Sequence, residues 1–282
     1  MAKVAIVTDT TATIPQDVID EYDIQLVPQV LIWGEETLED GIDIQPSEFY
    51  ERLVKDKIHP TTSQVTPASF IRVFDRLLDR GDEILAILIS KKLSGSIESA
   101  IQAKALHPGA PIEIVDSESV AMGLGFQVLT AARAAREGAT LEECKALAIE
   151  SIPHTGVVFA LDTLEFLHRG GRIGGGTRFL GTALNLKPIM EIRDGRVEPI
   201  DRVRTRKKSL NRVLNLVAEQ IAGRSPVRIA SLHAAAEEEA RILLDEAVAR
   251  FDPVETYFTE VSPVVGTHAG PGTLGIAYMA GM

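Results

Sequence analysis

The sequence predicts an α/β protein of two domains, a Rossmann-like parallel-sheet domain over residues 1–153 and a C-terminal α/β (α+β) domain with a mixed sheet over residues 154–282. Three observations predict this. The chain has 282 residues, close to two domains at ~150 residues each. Short β-branched runs alternate with helical periodicity in the first half, the pattern of βαβ units around a parallel sheet. In the second half Asp194-Gly195 separates two strand-like runs, a two-residue hairpin signal that breaks the alternation and brings antiparallel pairing with it.

Taken in order, Lys3 to Thr8, Glu83 to Ser90 and Ile112 to Asp116 read as strands, each followed by an amphipathic segment. Thr66 before Pro67 is a helix start and Gly81 a stop, bracketing a helix through Phe70 to Arg80. A further helix covers Ile97 to Leu106. Helices Ala121 to Arg136 and Leu141 to Ile152 lead to Pro153, where the domain boundary is expected, and a strand follows at Val157 to Leu161. Beyond it, strands Lys187 to Arg193 and Arg196 to Arg204 flank the hairpin turn. Helix Lys208 to Ala222, strand Val227 to His233, helix Ala236 to Phe251 and strand Val254 to Val261 complete the reading. No internal repeat at a fixed period is visible.

Composition narrows the function. With 45% apolar and 24% charged residues the chain is globular rather than fibrous or disordered. Its 29 basic against 40 acidic residues leave a net charge of -11, a field that repels nucleic acid and anionic membranes. The longest apolar run, Ile84 to Ile89, is far below the ~20 residues of a membrane span, and Val4 to Val7 is too short for a signal peptide. These point to a cytoplasmic protein with no nucleic-acid partner and no integral membrane association. The single cysteine, Cys144, forms no intrachain disulfide and reads as a buried thiol on a helix.

Several motifs fail. Gly170 to Gly176 is glycine-rich but lacks the lysine of a phosphate loop, and no complete G-x-G-x-x-G exists, Gly123 and Gly125 falling in a helical pattern. The six histidines show no metal-ligand spacing. Ser94 and Ser96 lie outside the nucleophile pattern of serine hydrolases.

Four segments survive. Thr61-Thr62-Ser63-Gln64 places hydroxyls in a loop before a helix start, which serves an anion or simply caps the helix. Leu93-Ser94-Gly95-Ser96 follows a strand and opens a helix at the sheet's carboxyl edge, where ligands of doubly wound sheets bind, and Gly95 leaves room for close approach. Thr8-Asp9-Thr10-Thr11 falls on the same edge. Leu167 to Gly174, with His168, Arg169 and Arg172, is a basic glycine-flexed loop; together with Arg202, Arg204, Arg206, Lys207 and Lys208 it makes the dense positive patch of an acidic chain, suited to carboxylate or phosphate or else a solvated face. Val265 to Gly272 reads as a loop carrying His268 before a helix.

The order and content of these segments resemble the DegV family of bacterial fatty-acid-binding proteins. The resemblance runs over essentially the whole chain, through Val7-Thr8-Asp9-Thr10, Thr61-Thr62-Ser63-Gln64, Leu93-Ser94-Gly95-Ser96, Val115-Asp116-Ser117, Leu167 to Gly174, Arg204-Thr205-Arg206-Lys207-Lys208 and His268-Ala269-Gly270-Pro271-Gly272. It implies a two-domain α/β fold holding one long-chain fatty acid such as palmitate, with no cofactor and no metal. It implies also that the protein is an acyl-carrier subunit rather than an enzyme. A separate ATP-binding kinase subunit would phosphorylate the carried acid to the acyl phosphate that feeds phospholipid synthesis. By the resemblance, Thr62 and Ser94 match the carboxylate-binding hydroxyls, with Ser63 and Gly95 beside them, and Arg172, Arg204 and His268 match the cationic and imidazole groups. Val65 departs from the family, which often has proline there. The residues read alone leave two alternatives: a self-contained enzyme acting on a small phosphorylated or carboxylated metabolite, with His268 as acid/base, and a lipid sensor.

Overall fold

The structure is a computed structural model that describes residues 3–179 and 186–282. β1 (Val4–Asp9) is buried along its whole length and ends in a 3-10 turn, Thr10–Ala12, capped by the Asp9 side chain. α1 (Gln16–Tyr22) returns the chain to β2 (Gln25–Val27). β3 (Val30–Trp33), β4 (Glu36–Glu39), α2 (Pro46–Lys55) and β5 (Thr61–Ser63) follow as an excursion. The chain then resumes its alternation with α3 (Pro67–Asp79), β6 (Glu83–Leu88), α4 (Ser96–Ala105) and β7 (Ile112–Asp116). α5 (Met122–Arg136) and α6 (Leu141–Ser151) close the first half.

The first sheet has the order β2-β1-β6-β7 with every pair parallel. β3, β4 and β5 form a separate three-stranded antiparallel sheet. That small sheet corrects the expectation for Thr61 to Ser63: the segment is a strand whose Thr62 pairs with Leu31, not a loop. Local signals fared well where they were chemical. Thr66 Oγ1 accepts from Ser69 N with Pro67 in the first turn, and Gly81 follows the helix at φ 80°.

The second half contains β8 (Thr155–Ala160), α7 (Glu165–Arg169), β9 (Lys187–Arg193), β10 (Arg196–Val203), α8 (Arg206–Ile221) and β11 (Val227–His233). It ends with α9 (Glu237–Phe251), β12 (Glu255–Glu260), α10 (Pro263–Ala269) and β13 (Leu274–Ala280). Its six-stranded sheet has the order β10-β9-β8-β13-β11-β12, parallel at β11–β12 and antiparallel elsewhere. Asp194 and Gly195 both take positive φ, 49° and 72°, as the hairpin signal requires. The reading of Val265 to Gly272 as a loop before a helix is corrected: α10 runs through His268, and the segment after Gly272 is the central strand β13. A continuous apolar run buried on both faces carries no period to tell strand from helix, and β13 is buried at every position.

The layers explain where a cavity can form. α3 and α4 cover one face of the first sheet, and α8 and α9 cover the outer face of the second. α5 packs against β1 and β6 on one side and β8 and β13 on the other, so its residues Met122 through Leu129 are all buried. Gly123 is required there, since a Cβ would lie 2.6 Å from Val157 Cγ2 across the seam. The largest apolar core therefore contains residues of both halves, from Val4 to Met279. Cys144 is fully buried in it, and burial pushes its thiol up.

Candidate functional site

Five segments meet between the two large sheets. From the carboxyl ends of β1 and β6 come Thr11, Ile89 and Ser94, where parallel sheets leave a crevice. β5 contributes Thr62, α10 contributes His268, and the turn after α7 contributes Arg172. Together with apolar side chains such as Val120, Val157, Phe159, Ile192 and Leu232 they line a cavity whose walls are mostly apolar, as small-molecule sites usually are. Thr62, Arg172 and His268 also line an outer pocket with His59 and Arg169. These three side chains thus stand at the mouth between an apolar interior and a basic vestibule.

Each mouth residue is held differently. Thr62 Oγ1 lies 2.8 Å from His268 Nε2. The His268 ring is pushed down to about 4, first by burial and then by the Arg172 charge, so the imidazole is neutral at neutral pH. Its Nδ1 is buried without a hydrogen-bond partner. It sits so close to the backbone that a Cβ on Gly170 would lie 2.0 Å from it, which is why the loop needs glycine there. Arg172 donates from Nε to Leu93 O at 3.0 Å and from Nη1 to Gly170 O at 2.8 Å. Burial lowers its pKa, and the described bonds leave guanidinium hydrogens for a further acceptor.

The Ser94 side is a connected network. Ser94 Oγ lies 2.9 Å from Ser96 Oγ, and Gln29 Nε2 donates to Ser96 Oγ at 3.0 Å. Gln29 is only 1% exposed and Ser96 is fully buried. Behind them Asp9 accepts from Ile89 N at 2.9 Å and from Thr11 N at 3.0 Å. Burial raises the Asp9 carboxyl, while bonds from Ile89, Thr11 and Gln29 pull it back. Asp40, also fully buried, accepts from Thr10 Oγ1 at 2.7 Å; burial pushes it up to about 6.

The expected site residues are thus only partly brought together. Thr62, Ser63, Ser94, Arg172 and His268 line the cavity. Gly95 does not; a Cβ there would meet Gln64 Oε1 at 1.9 Å, so the glycine makes room for a neighbouring side chain rather than for a ligand. Arg204 is exposed between β10 and α8 and lines neither pocket. The positive patch around it is also weaker than its sequence, because Arg206 is paired with Glu239 at 2.9 and 3.0 Å. Gln29 was missed by sequence reasoning, although a lone amide beside the apolar run Val30 to Trp33 was a usable signal. No group of three or more His, Cys, Asp or Glu among the described residues is placed to hold a metal, and no described helix is long and apolar enough to cross a membrane.

Two sheets sharing one core around an apolar cavity with a polar mouth define the class: an α/β protein with a mostly apolar binding space. The chain belongs to the DegV family, whose sequence profile, described as "Uncharacterised protein, DegV family", matches residues 3–281. A DegV domain-containing protein of Streptomyces coelicolor is 37% identical over 275 residues, 97% of each chain. Among solved structures, that of a DegV family protein from Thermus thermophilus, described by its fatty acid binding, superposes with a TM-score of 0.93 at 35% identity over 99% of both chains. DegV of Bacillus subtilis, described as a fatty acid binding protein, superposes with a TM-score of 0.90 at 31% identity over 99% of this chain and 100% of that one.

Proposed function

We propose that this protein holds one long-chain fatty acid in the cavity between its halves and presents the carboxylate to a separate ATP-dependent kinase subunit for conversion to acyl phosphate. The observation that carries the reading is the cavity itself: apolar along its walls, with Thr62, Ser94, Arg172 and His268 gathered where it meets the basic vestibule. Burying roughly fifteen acyl carbons at ~0.8 kcal/mol each contributes on the order of 12 kcal/mol, before the costs of association. The tail therefore supplies affinity and the head group supplies orientation. A carboxylate leaving water needs donors, and in this reading the hydroxyls of Thr62 and Ser94 supply them from the first half, residues 1–153. Residues 154–282 add the cation and the imidazole at the mouth, and the exposed Arg204 faces the kinase partner. No cofactor of the protein's own is required in this scheme, which operates in the cytoplasm.

Two experiments test it in sequence. Solvent extraction of the purified protein followed by mass spectrometry should yield fatty acid in stoichiometric amount, and a clean extract would favour an enzyme acting on a small metabolite. ATP consumption should then require all three of kinase subunit, this protein and fatty acid.

A further inference from the structure

A second groove lies between the two halves and shares no lining residue with the apolar cavity. The first half supplies the turn after β1, the start of α1, β2 and the segment 40–46; the second supplies the end of β12 and the start of α10. Its walls are apolar at Ile14, Ile19, Leu26, Pro28 and Phe258. Its ionisable lining groups are Asp40 and Glu260, and among the described residues that line it none is Lys, Arg or His.

Asp40 is the group that lacks a counterpart. It is fully buried, its Oδ2 accepts from Thr10 Oγ1 at 2.7 Å, and its Oδ1 has no hydrogen-bond partner. The Thr13 hydroxyl, on the same lining, is also buried without a partner. Burial raises the Asp40 pKa; Thr10, Ser262 and the Val264 N–H lower it, but none of these three carries a positive charge. The neighbouring Asp9 adds repulsion. Glu260 accepts from Ala235 N at 3.3 Å, and the nearest basic group, His233 Nδ1 at 3.6 Å, is kept neutral at neutral pH by its own burial. Buried carboxylate charge without a compensating cation is costly.

The lining selects among cations. A hard divalent ion asks for six or more oxygen ligands, and no group of three or more His, Cys, Asp or Glu among the described residues is placed to hold a metal. A guanidinium asks for two parallel acceptors, whereas Asp40 has one oxygen to offer. A primary ammonium is a compact charge with three donors, and apolar walls suit a methylene stem. We propose that this groove binds a primary ammonium on an alkyl stem, with Asp40 Oδ1 and the Thr13 hydroxyl as acceptors and Glu260 adding charge. Two sources carry that group, a free aliphatic amine and the lysine side chain of a docked protein. The proposal does not depend on what the apolar cavity holds.

The test is calorimetric titration of the full chain at mildly alkaline pH and constant ionic strength, with n-pentylammonium, with the peptide acetyl-Gly-Lys-Gly-amide, and with potassium and 1-pentanol as controls. The wild type should bind an ammonium probe, and neither control should displace it at equal concentration. Asp40→Asn should weaken binding about ten-fold or more, the equivalent of one charge-assisted hydrogen bond. Glu260→Gln keeps an acceptor for Ala235 N and should weaken it about two- to five-fold, the scale of a partly exposed charge pair; it serves if the buried Asp40 change fails to fold. Tighter binding of the peptide assigns the groove to a docked protein and tighter binding of the free amine to a small molecule, and both support the ammonium site. No binding of either probe, displacement by potassium or pentanol, or unchanged affinity in the variants that fold would overturn it, the last by placing the amine elsewhere.

Discussion

The two walls of the cavity mouth are built on opposite principles. On the Ser94 side, Gln29, Ser96 and Ser94 form a hydrogen-bonded chain beside an Asp9 held by Ile89 N and Thr11 N. On the facing side, His268 keeps a buried Nδ1 without a partner, and Arg172 is tied to backbone carbonyls. A hydrogen-bonded chain is stiff and holds one geometry. An under-bonded, desolvated cation keeps its capacity for an acceptor that arrives later, and it acts most strongly on charge that grows during a reaction. Under the proposed function, one wall would serve ground-state binding and the other charge developing at the mouth.

The largest expected effect breaks the comparison at Arg172. Arg172→Ala should leave lipid occupancy nearly intact while acyl phosphate formation with a cognate kinase falls on the order of 10²-fold or more. An Arg172 variant that purifies without lipid yet turns over normally in excess fatty acid would reverse the assignment of the two walls. Next come the hydroxyls. Ser94→Ala and Thr62→Ala should each weaken retention by ~1.5–3 kcal/mol, and the double variant should be largely empty when bound lipid per protein is measured after identical purification.

Acid titration sharpens the same contrast at smaller amplitude. The folded pKa of His268 is depressed from its ordinary 6.5 to about 4, so the unfolded chain binds more protons between those values. The stability this His contributes is full above its unfolded pKa and is lost as pH falls through that window. Asp40 has the opposite sign: its pKa is raised from 3.8 to about 6, so its contribution is lost as pH rises between them. The two offset one another near pH 4–6. His268→Gln should therefore flatten the acid side of the melting-temperature profile, and Asp40→Asn should steepen it. If both variants follow the wild-type profile, neither group titrates as its burial requires. The smallest effect belongs to the contact between halves at the hairpin turn. Ser90 Oγ donates to Gly195 O at 2.8 Å, and Ser90→Ala should cost about 1 kcal/mol, read as a lower denaturation midpoint with ligand occupancy unchanged.

Elements with local chemical punctuation were legible from the sequence: the Thr66-Pro67 start, the Asp194-Gly195 turn, and β1 and β6 as apolar runs between turn signals. The excursion from β3 to β5 was not. Its strands are three or four residues long, too short for a period to emerge, and Thr61-Thr62-Ser63 carries a turn-like composition that pairing with Val30–Ile32 overrides. Similarly, α10 and β13 lie in a stretch where glycines and apolar residues mask both periods.

The sequence by itself determined the α/β class and the family, and it offered the hydroxyls and cations as candidates, because strand runs, caps and turn residues act over a few neighbouring positions. Tertiary structure decided which of those groups meet. Thr62 and His268 are 206 positions apart in the chain and 2.8 Å apart in space, Arg172 reaches Leu93 across 79 positions, and Arg204, close to Arg206 in sequence, is left on the surface. Such convergence is set by the packing of α5 between two sheets, and packing of that kind depends on the summed shape of side chains from both halves, which no local pattern records.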